Sequence, residues 1–267
     1  MPDFYAHYRQ GQHVFSLLPE KIRSLVSNKN LYDIGLQGPD FLYYYKPLQT
    51  SGNPILQLAA DIHDGSGSSF FTAAQNAADV KPETDEFSYL MGCIGHFGLD
   101  SCGHPYVNRM VAEMDFDHVE MEIEFDKFLL LRDGLDPFFY KAHRRLNLSV
   151  HEAQAVAHVY RGVFSAITAG DIERAFNTFR YGKRFFYSPS KISQRFKFYL
   201  LRRFGLYESL QGHIMKTVSN PKSTITNAGL LKCYEGSIKI TQGLMENFCE
   251  YIVHRTPLSG RFNLRFA

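Results

Sequence analysis

The chain has 267 residues, enough to bury a sizeable core in one large domain or two small ones. With 45% hydrophobic and 21% charged residues, its composition is that of a folded protein and excludes a disordered one. A net charge of only +2 does not force a nucleic-acid role, and no run approaches the roughly 18 consecutive apolar residues of a membrane span.

In chain order, residues 9–28 read as an amphipathic helix with Val14, Leu17, Leu18, Ile22 and Val26 on one side. The start, "MPDFYAHYRQGQHVFSLLPE", has no apolar h-region and no small-residue cleavage site, so a cytoplasmic location is expected. "GLQGPDFLYYYKP" is a Gly-Pro turn that presents Asp40 ahead of an aromatic run. "DGSGSSFFTAAQNAA" opens on Gly and Ser and turns helical, without the GK[ST] ending of a phosphate-binding loop. Residues 86–104 form an apolar helix that Pro105 is expected to end, and residues 116–132 form another, closed by Asp133-Gly134. From 149 to 255 the pattern is helical, with Ser149 and Glu152 spaced as a capping box. No run alternates long enough to make a strand. The expected class is all-α, a single domain over 1–267. Cys93, Cys102, Cys233 and Cys249 form no CxxC pair, and reduced thiols are expected.

The chemistry concentrates in "GHFGLDSCGHPY", where His96, Asp100 and His104 are four residues apart each time. At about 100° per residue they drift only about 40° per step, so all three project from one face as a stripe roughly 12 Å long. That length is too great for one metal ion and suits two or three adjacent ones. His118 and Glu122 repeat the spacing on the next helix, and His7, Asp40 and His63 lie nearer the start. Imidazoles and carboxylates without thiolates suit a hydrolytic zinc site. An isolated pair at this spacing also serves as an ordinary side-chain contact worth a few tenths of a kcal/mol. Three such groups in an apolar helix are another matter, because burying them unpartnered costs several kcal/mol. Asp100, in mid-stripe, has two oxygens with which to bridge neighbouring ions. Glu120 and Glu124, two residues either side of Glu122, are expected to face away onto exposed surface. No Ser or Cys has the setting of a nucleophile: "HDGSGSSFF" lacks a G-x-S-x-G elbow, and Cys93 has no evident base.

The ordered set Asp, His, H-x3-D, His, H-x3-E, carried by "MPDFYAHYRQG", "IGLQGPD", "GHFGLDSCGHPY" and "FDHVEMEIEFDKFLL", resembles the zinc-dependent phospholipase C superfamily. The likeness is to its intracellular bacterial phospholipase C/D-domain branch, related to the fungal single-strand nucleases, and it covers roughly residues 1–135. It implies a multi-helix bundle with a metal cluster between helices, a metal-site half over 1–135 and a helical C-terminal half over 136–267. It implies two or three Zn2+ ions. Asp40, His63, His96 and Asp100 would hold one. His104, His118 and Glu122 would hold a second, with room for water or substrate. His7 and Asp100 would hold a third, with Asp100 bridging it to the first, and Asp40 and Asp100 are the candidate catalytic carboxylates. Asp61 and Asp64 flank His63 as alternative donors. In secreted relatives the amino terminus of a chain beginning with Trp also binds the third ion. This chain has no Trp, but loss of Met1 would expose Pro2, five residues before His7 as in the nuclease branch.

The activity so implied is metal-dependent phosphodiesterase cleavage of a phospholipid headgroup, by attack of zinc-bound hydroxide on the phosphodiester. The alternatives are a cytoplasmic phosphodiesterase or nuclease acting on a soluble substrate, and a metal-stabilised helical binding module without catalysis. Between Arg174 and Arg203 lie nine Lys/Arg, nine aromatics and no acid. This segment reads as a peripheral membrane contact, as a nucleic-acid groove, or as two amphipathic helices with core aromatics and solvated basic faces. The acidic segment 113–126 offsets its charge.

Overall fold

The computed structural model describes residues 3–47, 49 and 51–266. Twelve α-helices and four 3-10 turns make up its regular structure, and no strand occurs among the described residues. The first four helices are α1 (Phe4–Leu17), α2 (Glu20–Arg23), α3 (Lys29–Gly35) and α4 (Pro54–Asp64). α5 (Gly67–Ala78), α6 (Asp85–Met114) and α7 (His118–Arg132) follow, then α8 (Val150–Tyr160), α9 (Ala169–Phe186) and α10 (Lys191–Arg203). A one-turn α11 (Tyr207–Leu210) and the long α12 (Ser223–His254) complete the set. No helix among the described residues is long and apolar enough to cross a membrane.

α6 is the axis. Thr84 caps it by accepting from the Phe87 N–H at 3.2 Å, and every residue from Phe87 to Asp100 is buried. α1, α3, α7, α8 and α12 pack around it. One core joins Phe71, Phe97, Phe248, Phe262 and Phe266 to the start of α6, and a second gathers Leu99, Val107, Met121, Phe125 and Tyr234 beside α7. α3 crosses α6 backbone against backbone. A Cβ on Gly92 would lie 2.1 Å from the Tyr32 carbonyl oxygen and 2.8 Å from the Gly35 Cα.

Three sequence expectations are corrected. The helix expected over 9–28 starts at Phe4 and breaks at Leu18, whose ψ of 143° is the extended conformation that a following proline imposes. The helix expected to stop at Pro105 runs on to Met114. An interior proline costs about 3 kcal/mol, but the next turns bury Val107 and Met110, each worth roughly 1.5–3 kcal/mol. The helical pattern over 149–255 resolves into five helices with an irregular stretch from 214 to 222. The capping box at Ser149 and Glu152 is present, and all four cysteines are free.

The α3–α6 crossing gives a paired prediction. Gly92→Ala should cost roughly 1–3 kcal/mol by overpacking. Gly236→Ala, on exposed α12 surface where a Cβ meets nothing within 4 Å, should stabilise by about 0.5–1 kcal/mol. Urea unfolding midpoints of the two variants should therefore move in opposite directions.

Candidate metal centre

The turn "IGLQGPD" builds one wall of the site. Gly38 has a φ of +52°, and a Cβ there would fall 2.3 Å from the His96 ring, so glycine is required by both backbone and space. Pro39 follows, and Asp40 opens a 3-10 turn (Asp40–Tyr44) with its carboxylate facing α6. The same turn supplies the Leu36 carbonyl, which lies 3.3 Å from His96 Nδ1. A carbonyl only accepts, so Nδ1 carries a proton and Nε2 points the other way. It points at carboxylates: Asp100 Oδ2 at 2.9 Å and Asp40 Oδ1 at 3.6 Å. His63, in the last turn of α4, repeats the device. Its Nδ1 is 2.6 Å from the Ala59 carbonyl oxygen and its Nε2 is 2.9 Å from Asp40 Oδ1.

His7 on α1 approaches from the opposite side. Its Nε2 is 3.2 Å from Asp100 Oδ1, and its ring stacks on His96 with centroids 4.2 Å apart. Farther along the stripe, His104 Nε2 is 3.9 Å from Asp100 Oδ2, and the His104 ring lies 5.6 Å from that of His118. His118 Nε2 is 2.6 Å from Glu122 Oε1 on α7. All eight residues singled out from the sequence therefore line one continuous site.

The donor set fits metal ions. Four ligand atoms held tetrahedrally at about 2.0–2.1 Å from a zinc are about 3.3 Å apart. The Nε2-to-carboxylate separations around Asp100 and Asp40 are 2.9–3.6 Å. Two groups have ligand atoms all within 4.8 Å of one another: His7, His96 and Asp100, and Asp40, His63 and His96. Yet His7 Nε2, His96 Nε2 and both oxygens of Asp100, all buried, have no hydrogen-bond partner among the described residues. They sit close to one another but are aimed at common points. Native proteins leave few such atoms unsatisfied, and a shared cation would satisfy these.

Protonation states agree with that role. Burial resists charge on Asp100, but His96 and His7 beside it hold its carboxyl well below the usual range. Asp40 is lowered in the same way, with His96 and His63 outweighing burial. Burial lowers His104 to about 4 and His118 to about 3, so both are neutral near pH 7 with lone pairs available.

Several expectations change here. Glu120 and Glu124 are buried, not on exposed surface. Glu120 pairs with Lys216 at 2.8 Å and accepts from Asn220 at 3.2 Å, while Glu124 accepts from the Asn220 N–H at 3.3 Å. The segment 214–222 covers that side of α7 and turns a face that looked solvent-exposed into an interior one. Asp61 accepts from Gln57 and Asp64 pairs with Arg265, so it is His63 that reaches Asp40. Pro2 lies outside the described residues.

Sequence reasoning missed four contributors. Asp126 accepts from the Tyr5 and Ala6 N–H groups at 2.7 and 2.8 Å, holding the first turn of α1 and so placing His7. Its signal was present, since His118, Glu122 and Asp126 repeat the four-residue stripe of α6. Phe266 packs on His96 and His63, with ring centroids 5.9 and 6.1 Å away, and nothing in the sequence marks it. Asp3 and Lys183 form an ion pair beside the site, 180 residues apart in the chain.

Above the cluster opens a cleft of about 890 Å³. His7, Asp40, His63, His104, His118 and Glu122 form its floor, and Tyr43, Tyr44, Phe179, Phe185 and Phe186 form apolar walls.

An all-helical protein with imidazole–carboxylate groups converging under an apolar cleft is the class that fold and site define. The chain belongs to the zinc-dependent phospholipase C family, whose model matches residues 6–181. The match extends past the limit near 135 drawn from motifs, taking in α8 and most of α9. No curated protein and no solved structure gives a match.

Two predictions concern the seating of α1. Asp126→Ala removes the acceptor of two N–H groups and is expected to cost roughly 1–2 kcal/mol in chemical denaturation. It should also speed loss of zinc to a chelator, although Asp126 is itself no ligand. Nearby, Asp133 takes two bonds from Arg9, at 2.6 and 2.7 Å, and these hold its carboxyl below the ordinary range. A folded value below the unfolded one stabilises fully above the unfolded value, and the benefit is lost as pH falls through the folded one. Asp133→Asn should therefore cost about 0.5–1 kcal/mol at pH 7, this being a partly exposed pair. The gap to the unsubstituted protein should narrow in denaturation curves below about pH 4.

Proposed function

We propose that the protein is a zinc-dependent phosphodiesterase that cleaves phospholipids in the manner of a phospholipase C. The observation that carries this reading is the Asp100 carboxylate, fully buried, with Oδ1 on His7 and Oδ2 on His96. A carboxylate so placed would serve as a ligand to neighbouring cations, and these would supply a clamp on one phosphoryl group. In this reading Asp40, His63, His96 and Asp100 hold one ion, and His104, His118 and Glu122 hold a second. His7 and Asp100 hold a third. Bound zinc supplies Lewis acidity toward phosphoryl oxygens and lowers the pKa of water toward about 7.

The chain's own residues do the rest. Asp40 and Asp100 stay ionised although buried, which fixes negative charge where cations must collect. The Leu36 and Ala59 carbonyls engage the Nδ1 atoms of His96 and His63 and leave their Nε2 atoms aimed inward. His104 and His118, neutral at physiological pH, add donor atoms without adding positive charge. The aromatic walls of the cleft favour a phosphodiester with an apolar substituent over a fully hydrophilic one.

Purified protein should carry at least one equivalent of zinc and hydrolyse bis-p-nitrophenyl phosphate in a chelator-sensitive way. His96→Ala and Asp100→Ala should each lower that turnover at least about a hundredfold while keeping the helical circular-dichroism signal. Diacylglycerol release from phosphatidylcholine would support the phospholipase C-type cut. Less than one equivalent of zinc, with activity indifferent to chelators, would overturn the proposal.

A further inference from the structure

α10 wears its apolar stripe on the wrong side for a helix of a soluble domain. At about 100° per residue, Ile192, Phe196 and Tyr199 fall within about 60° of one another. They are 81%, 60% and 62% exposed. The buried residues of the helix, Gln194 and Leu201, lie on the opposite face. That inner face is pinned by hydrogen bonds: Gln194 Nε2 donates to the Met215 carbonyl at 3.0 Å, and the Thr217 N–H donates to Gln194 Oε1 at 3.2 Å. The outward orientation of the stripe is therefore built in. Exposed Lys191, Arg195 and Arg202 line one flank of it, Arg203 lies at its C-terminal end, and no acid occurs between 174 and 203. Of the eighteen exposed large hydrophobic residues described, seven fall within residues 181–206, a tenth of the chain. Contiguous apolar surface of this kind marks an interaction site.

We propose that the outward face of α10, together with the aromatic rim of α9, docks on the surface of a bilayer containing anionic phospholipid. Charge selects this occupant: cations along the flank and end of an apolar stripe fit an anionic headgroup layer over acyl chains. A second copy of the same face would oppose like charges. A single-stranded nucleic acid would use the aromatics and the cations, but it has no place for Ile192, the most exposed large hydrophobic residue of the stripe, because an aliphatic side chain offers no stacking plane. Position agrees. Tyr181, Phe185 and Phe186 on α9 line the cleft that also takes in the metal-site residues, and Tyr181 and Phe185 are exposed. Lys197 of α10 lies over the Phe185 ring, 5.7 Å from its centroid. Docking therefore brings the aromatic wall of the cleft to the lipid. The family match ends at residue 181, so α10 lies beyond what the family model describes. The surface stands apart from the metal cluster, and only its service as a route to substrate rests on the function proposed above.

The test is co-sedimentation of the full chain with vesicles of phosphatidylcholine alone and of phosphatidylcholine with phosphatidylserine, at low and high salt. Binding should be at least about tenfold stronger on the anionic vesicles and should fall with salt. The triple variant Ile192→Ser, Phe196→Ser, Tyr199→Ser should lower vesicle binding about tenfold or more. Arg195→Glu with Arg202→Glu should remove the preference for phosphatidylserine. Both variants should keep wild-type zinc content and wild-type turnover of bis-p-nitrophenyl phosphate, readouts that fail separately from vesicle binding. Equal binding to neutral and anionic vesicles, wild-type binding by both variants, or tighter binding of single-stranded DNA than of phosphatidylserine vesicles would overturn the inference.

Discussion

The structure turns on one carboxylate. Asp100 ends the most buried stretch of the chain, with no exposure to water, between two imidazoles that do not hydrogen-bond to it well. In a low-dielectric interior an ionised carboxylate must be compensated, and two neighbouring histidines compensate it only if at least one becomes charged. Here the environment pulls both ways: burial and His96 keep His7 from charging, while Asp100 and Asp40 favour charge on His96. Divalent cations would remove the conflict, since the imidazoles and the carboxylate would then act as ligands.

Much of the surrounding fold reads as the means of holding that arrangement still. His96 cannot tilt, because its Nδ1 faces the Leu36 carbonyl, its ring lies against Gly38 and His7, and Phe266 covers its edge. His7 is fixed less directly. α1 begins only three residues before it, where fraying is expected, and it is the Asp126 carboxylate on the Tyr5 and Ala6 N–H groups that secures the turn. Arg9 and Tyr5, both bonded to Asp133, secure the same helix to the end of α7. Two carboxylates seven residues apart on α7 thus act as clamps for α1. α7 both contributes to the site and positions another contributor.

The sequence made the site more legible than the fold. Five polar residues at helical spacing, His96, Asp100, His104, His118 and Glu122, stood out first, because burying such a stripe unpartnered is expensive and polar types in apolar surroundings are the least ambiguous signal a single sequence carries. Helix ends were read less well where local rules met tertiary packing. Pro105 satisfied a stop signal that the burial of Val107 and Met110 overrode. Glu120 and Glu124 looked solvated because only the partner segment 214–222, about a hundred residues on, makes their side of α7 interior. The same holds for Phe266 and for the Asp3–Lys183 pair, whose partners are distant in the chain. Periodicity reports which face of a helix is apolar; it does not report what will cover the polar one.

Phe266 shows why the residues beyond the family match matter to the chemistry within it. A ladder contact ties the chain end to the start of α5: the Phe266 N–H donates to the Gly65 carbonyl at 2.8 Å, and the Gly67 N–H to the Leu264 carbonyl at 3.0 Å. The buried ring then packs against His63, His96 and Phe97. Water admitted there would solvate Asp40 and Asp100, raise the local dielectric and weaken their hold on any cation. The polar residues that α1, α4, α6, α7 and the Asp40–Tyr44 turn bring together are thus framed by α9, whose aromatics line the cleft, and packed by Phe266 against His63 and His96. Residues that carry none of the eight polar groups, and in the case of Phe266 lie beyond the family match, thereby give the site its apolar surroundings.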